Sequence, residues 1–343
     1  MKKFVILYLF FTSALQAQQR DLTTPEASQE ASVMQRIGLT DIVINYHSPL
    51  AKERTIWGDL VPYNEVWRAG ANENTTISFS TDVMIEGKAL PAGTYGLHMI
   101  PSQKEWTVIF NKNAAAWGSF FYEEKEDALR VTVNPKAAEM QDWLSYTFTS
   151  PQPQSVNVEL RWEKQAVPFV ISIDVPEVVY QRMRKELTNI NGFFPAGFNQ
   201  AAAYCVQNKI HLDDAGKWVD KSIKMQKSFA NLNTKSKLLA MQGNQAEADV
   251  LKKEALTIAD ENQLNTYGYN LLGQGKTTEA IDVFKTNVKR YPASWNVYDS
   301  LAEAQEKAGD KKGATANYKT ALSKAPEDQK KRLTATIQKL EGK

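Results

Sequence analysis

Up to about residue 180 the chain alternates apolar and polar positions, and beyond it the apolar residues recur at helical spacing. Ile42, Ile44 and Tyr46 in DIVINYHS follow a period of two, as do Trp106, Val108 and Phe110 in EWTVIFNK. So do Leu129, Val131 and Val133 in ALRVTVNP, and Val156, Val158, Leu160 and Trp162 in SVNVELRWE. That period lines one face of a strand with apolar side chains, so each run predicts a strand buried on one side. Gly87 and the Pro91, Ala92, Gly93 group punctuate EGKALPAGTYG and bracket short strands there. Many short strands with no helical pattern between them predict an antiparallel β-sandwich.

The second half repeats itself. Leu301, Ala302, Gly309, Ala314, Tyr318, Ala321, Leu322 and Pro326 have counterparts 34 residues earlier in Tyr267, Gly268, Gly275, Ala280, Phe284, Asn287, Val288 and Pro292. That is tetratricopeptide spacing: small residues let paired helices approach, aromatics fill the gap, and proline ends the second helix. Two weaker units precede it, one carrying Gly243, Ala248 and Ala255, the other Ala202, Ala203, Ala215 and Ile223. Together with a closing helix over residues 331–340 they make an array long enough to bury a continuous core. The chain is therefore expected to be α+β with two domains. A β-sandwich domain spans residues 28–175, a bridging segment with the helix PEVVYQRMRKEL spans 176–195, and all-α tetratricopeptide-like repeats span 196–343.

The blocks LVPYNEVWRAGANENTTISF, LPAGTYGLHMIP, EWTVIFNK, WGSFFY and ALRVTV, within residues 28–174, resemble the bacterial domain of unknown function 2911 family. The resemblance covers nearly the whole β region. It implies an export signal and a helical-repeat tail, which members of the family often carry, and it implies no assigned activity. One departure from the family pattern is His47 in YHSP, where a charged or small residue is expected.

The start of the chain predicts export. Met1, Lys2 and Lys3 precede the apolar run FVILYLFF, and TSALQA ends in the small Ala17, which reads as a signal over residues 1–17. The mature chain is expected to begin near Gln18, in the periplasm or outside the cell, and with no cysteine after the apolar run it is not lipid-anchored. No other segment approaches the roughly 20 apolar residues of a membrane span. Cys205 is the lone cysteine, which excludes an intramolecular disulfide.

Charge adds an asymmetry. Residues 18–180 hold 13 Lys and Arg against 21 Asp and Glu, and the rest of the chain holds 26 against 18, so the two halves carry about −8 and +8. Solvated faces account for this, or an attraction between the halves or to an acidic surface. The lysines are scattered along helices without interleaved aromatics, which speaks against nucleic acid.

Reaction chemistry finds no signature. GQGKTT resembles the end of a phosphate loop, but position 270 is Asn where that loop requires Gly, and the motif follows a helix. His47, His98 and His211 have no partner at metal-ligand spacing, though His47 and His98 could converge in space with a carboxylate. Cys205 among alanines reads as a buried apolar side chain, and Glu123, Glu124, Glu126 and Asp127 read as a solvated turn. No catalytic residue, metal ligand or cofactor is therefore assigned.

About 25 residues separate the strand ending near Ser48 from the one with Ile77 and Phe79, too long for an ordinary connection. Trp57, Tyr63 and Trp67 could stack on a sugar or other planar ligand, with Arg54, Arg68, Asn72 and Glu73 supplying directed hydrogen bonds. The favoured alternative is a plug, with Trp57 and Trp67 capping one end of the sandwich and Arg68 paired to Glu65 or Glu73. The leading functional expectation is an exported interaction scaffold that presents a helical-repeat groove to a protein partner. A glycan- or small-molecule-binding protein using the 54–76 loop comes second, and an uncharacterised hydrolase third.

Overall fold

The computed structural model describes residues 25–342, so the expected leader lies outside the described residues. The chain divides after Val175 into a β unit and a helical unit.

In the β unit, β1 (Gln29–Ile37) and β2 (Thr40–Ser48) form a hairpin whose turn places Gly38 at φ 57°. After the long connection come β3 (Thr76–Phe79), β4 (Val83–Ile85), β5 (Lys88–Leu90), β6 (Gly93–Ile100) and β7 (Trp106–Asn111). Strands β8 (Asp127–Val133), β9 (Lys136–Gln152) and β10 (Ser155–Ser172) complete the unit. Two antiparallel sheets result, one ordered β1-β2-β3-β6-β7-β8 and the other β5-β4-β10-β9. Glu86 and Gly87, both at positive φ, make the two-residue turn between β4 and β5, the geometry that matches strand twist.

The period-two residues behave as alternation demands. Ile42, Ile44, Tyr46, Trp106, Val108, Phe110, Val156, Val158, Leu160 and Trp162 are all buried. Buried rings from the two sheets meet: Tyr46 on β2 lies edge-on to Tyr146 on β9 at 4.9 Å, and Phe110 on β7 to Phe169 on β10 at 5.9 Å. Each such pair adds about 0.5–1.5 kcal/mol beyond its buried area.

The helical unit opens with α1 (Val175–Glu186) and continues as hairpins. These are α2 (Pro195–Asn208) with α3 (Leu212–Met225), α4 (Phe229–Met241) with α5 (Gln245–Ile258), α6 (Glu261–Gly273) with α7 (Thr277–Arg290), and α8 (Trp295–Lys307) with α9 (Lys311–Lys324). The final helix is α10 (Glu327–Leu340). Glu261 and Trp295 open α6 and α8 at the 34-residue interval of the sequence repeat. A Cβ on Gly268 of α6 would stand 2.5 Å from the ring of Phe284 on α7, so glycine permits that approach, and Phe284 is fully buried. One repeat later Ala302 and Tyr318 occupy the same two positions, both buried. Ser228 and Asp260 cap α4 and α6 with reciprocal bonds to Asn231 and Gln263, satisfying amides that a helix start otherwise leaves open. Among the described residues no helix is long and apolar enough to cross a membrane.

Candidate functional site

The connection between β2 and β3 folds back over the unit instead of forming one binding face. Trp67 exchanges both backbone hydrogen bonds with Met99 of β6 at 2.8 Å, adding a residue to the sheet edge beyond β3. Its ring stacks on Trp162 at 5.9 Å, while Trp57 lies edge-on to Trp67, Trp106 and Trp162 at 5.7, 4.7 and 5.8 Å. Four indoles thus close the space between β7 and β10. Tyr63 covers Gly58, where a Cβ would lie 2.8 Å from its ring. Arg54 turns onto its own loop, donating to the carbonyls of Ala51 and Leu50.

Arg68 follows Trp67 and by alternation takes the opposite face, the one His98 occupies beside Met99. The buried pair expected for Arg68 is absent: its buried Nε has no acceptor, and among the described residues the guanidinium makes no ion pair. Glu73, one expected partner, lies beside His47 instead. Loss of water lowers the guanidinium's pKa.

Both residues are roofed by the segment between β7 and β8. Gly118 lies against the Arg68 side chain, and Ser119 Oγ is 3.0 Å from His98 Nδ1. Burial pushes His98 down to about 4, with Asp127 opposing, so the ring is neutral at neutral pH. Asp127 is a correction to the solvated turn expected there. Its carboxylate is buried and accepts from Asn111 Nδ2 at 2.8 Å, Tyr122 Oη at 2.7 Å and Arg130 Nε at 2.5 Å. The same segment exposes Trp117, Phe120 and Phe121, at 53%, 77% and 67% of their surface.

His47 and His98 do not share a site. His47 instead lies between two carboxylates, with Nε2 3.4 Å from Glu26 and Nδ1 3.3 Å from Glu73. Asn72, the remaining candidate of the loop, donates its amide to Glu26. The seven loop candidates are thus distributed: Trp57 and Trp67 in the indole cluster, Tyr63 and Arg54 along the loop, Arg68 under Gly118, Asn72 and Glu73 beside His47. Glu26 escaped the sequence reading, because only the pairing of β1 with β2 brings it across from His47.

The helical unit carries a groove of about 580 Å³ between α4, α5 and α6. Phe229 and Tyr267, edge-on at 5.7 Å, form its apolar part. Asn233, Asn270 and Lys237 form part of the polar lining, and none of the three makes a side-chain hydrogen bond or ion pair among the described residues. Cys205 is buried elsewhere in this unit. Burial, with Asp214 and Glu177 adding to it, pushes its thiol up to about 11, which suits packing and not nucleophilic chemistry.

Residues 28–171 match the model of a family described as a protein of unknown function, DUF2911. The β unit is a DUF2911 domain. Among solved structures, the chain is similar to the C-terminal part of a TPR repeat-containing protein from Cytophaga hutchinsonii, with 16% identity and a TM-score of 0.30 over 44% of this chain and 60% of that one. It is also similar to MamA from Desulfovibrio magneticus RS-1, with 14% identity and a TM-score of 0.26 over 43% of this chain and 93% of that one. A third is YrrB, described as a TPR protein with an unusual peptide-binding site, with 14% identity and a TM-score of 0.28 over 48% of this chain and 84% of that one. The chain thus spans three-fifths of the Cytophaga structure. The comparison with curated proteins finds no match. In the DUF2911 domain the tryptophan cluster, the Arg68 and His98 face and the His47 cluster are all built from the matched residues, save Glu26, which lies just ahead of them.

Proposed function

We propose that the protein is an exported interaction scaffold whose tetratricopeptide-like helices hold an extended segment of a partner protein, while the DUF2911 domain, its two sheets packed as a sandwich, is a second recognition module. The groove between α4, α5 and α6 carries this reading. Asn233 and Asn270 offer amide donors and acceptors that match a peptide backbone, and Phe229 and Tyr267 offer a ledge for an apolar side chain. The 34-residue interval between α6 and α8, with Gly268 against Phe284 and Ala302 with Tyr318, supports the repeat assignment. The rings of Tyr46 and Tyr146, and of Phe110 and Phe169, support the sandwich.

The test is recovery of the partner from the cell envelope with a photo-crosslinker placed at Lys237, on the same groove, of the full chain. A crosslinked protein that is lost in the Asn233→Arg, Asn270→Arg double variant supports the groove. Equal capture by the double variant overturns it. Export rests on the basic start, apolar run and small Ala17, and mass spectrometry of the natural protein is expected to find Gln18 at the amino terminus, whereas an intact Met1 in the cytoplasm overturns it.

A second reading, recognition of a small anionic planar ligand by the 54–76 loop, is favoured by one observation. Arg68 is a half-buried cation with no counter-charge among the described residues, beside a segment that exposes three aromatic rings.

A further inference from the structure

We infer that the β unit binds a divalent transition-metal ion, with zinc as its probe, through Glu26, His47 and Glu73. The sheet order builds the site. His47 is next to last in β2, the strand flanked by β1 and β3. Glu30 of β1 pairs with His47, so the chain leading into β1 delivers Glu26 from one side. Asn45 pairs with Thr76 of β3, so the chain leading into β3 delivers Glu73 from the other. One imidazole nitrogen and one oxygen of each carboxylate lie within 4.8 Å of one another. Metal bonds of about 2.0–2.2 Å give tetrahedral edges of about 3.3–3.5 Å; the one ring nitrogen that binds the ion already stands so from one carboxylate, and the second carboxylate closes in from within 4.8 Å.

Charge favours a cation there. Two carboxylates flank one imidazole, and among the described residues neither is paired to a lysine or arginine. A protonated His47 alone leaves a second observation unexplained. Asn74 is only 8% exposed and lines the same cavity of about 710 Å³ as Glu26, His47 and Glu73. Its Nδ2 donates to the carbonyl of Asn113, but its buried Oδ1 has no donor among the described residues. The amide oxygens of Asn199, Asn265 and Asn287 also have no donor among the described residues, and Asn74 is set apart by lining the cavity of the three candidate ligands. Both N–H groups of an imidazolium would already be directed at carboxylates, with nothing left for Asn74. A metal ion meets both carboxylates and the imidazole, and a water bound to it in the shared cavity would supply the donor that Asn74 lacks. One imidazole among oxygen donors suits zinc and its first-row neighbours better than calcium or magnesium.

Calorimetric titration of the chelator-treated full chain with zinc chloride, alongside metal analysis after dialysis, is the test. One zinc per chain is expected, with affinity reduced at least about tenfold in both Glu26→Gln and His47→Ala. Glu26 is exposed, so its variant reports on binding even if His47→Ala fails to fold. The other histidine–carboxylate contact, His211 with Glu177 at 2.6 Å in the helical unit, is the control, and His211→Ala is expected to bind as the parent does. Absence of saturable binding, Glu26→Gln binding as the parent does, or binding lost with His211→Ala overturns the assignment.

Discussion

Removing an interior arginine from a buried pair strands its carboxylate, at a cost of about 3–5 kcal/mol. Arg68 has no such carboxylate among the described residues, although its position between Val66, Trp67 and a run of small residues suggests close packing. Arg68→Ala is therefore expected to change stability by less than about 1 kcal/mol, the lost packing on Gly118 being offset by relief of a dehydrated charge. An equilibrium denaturation curve with a loss of about 3 kcal/mol or more would show a hidden counter-charge. His98 gives a test with a sign. Burial holds the folded ring at about 4, against 6.5 when unfolded, so its contribution is complete above pH 6.5. As pH falls below that, the unfolded chain takes the proton first, and stability is lost until about pH 4. The gap corresponds to roughly 3 kcal/mol. His98→Gln is expected to flatten the stability profile between pH 7 and 4.5 by a sizeable part of this, and parallel profiles for the two proteins would contradict it. Neither behaviour was legible in the sequence. His98 reads as an ordinary sheet residue and Asp127 as part of a polar turn, and only the fold of residues 112–126 over the sheet buries them.

Elements were legible where burial is one-sided or local. Strands β2, β7, β8 and β10 were visible because their buried residues alternate, and the later helical hairpins because each repeat packs on its neighbour in sequence. Strand β9 was not: among its seventeen residues only Leu144 and Tyr146 are buried, too few to set a period. Strand β1 was missed for a related reason, being an edge strand with only Ile37 buried. The closing helix begins at Glu327, a few residues earlier than its apolar positions suggested, because its first turn is acidic and exposed. Within the repeats Gly268 separates two opposed effects. Alanine favours a helix over glycine by about 1 kcal/mol, but a methyl group here meets Phe284 at 2.5 Å. The contact is expected to dominate, with Gly268→Ala losing about 1–3 kcal/mol, measured from helix ellipticity in urea. A neutral or stabilising result would mean that Phe284 moves aside freely.

For the molecule as a whole, the change of period near residue 180 foretold the change from sheets to helices, and the family blocks foretold the DUF2911 match. What was not foretold was the assembly of groups distant in sequence, Glu26 with His47 and Glu73, or Tyr180 with Asp214 at 2.5 Å. Such contacts depend on register and helix packing, which composition does not encode locally. Each unit has its own buried core, in the β unit the rings of both sheets and in the helical unit clusters around Tyr180, Phe284 and Tyr318. Two unfolding transitions are therefore expected from the full chain, and one shared transition under every condition would show that the units fold as one.

The four packed indoles also make the chain its own optical gauge. Of its eight tryptophans, Trp57, Trp67, Trp106, Trp117, Trp143 and Trp162 lie in the β unit and only Trp218 and Trp295 in the helices. Trp57, Trp67, Trp106 and Trp162 are close enough for their excited states to couple, giving a circular dichroism feature that vanishes when that cluster opens, while ellipticity at helix wavelengths follows the repeats. Ligand, metal and denaturant titrations can then be read for each unit in one uncut, unlabelled protein.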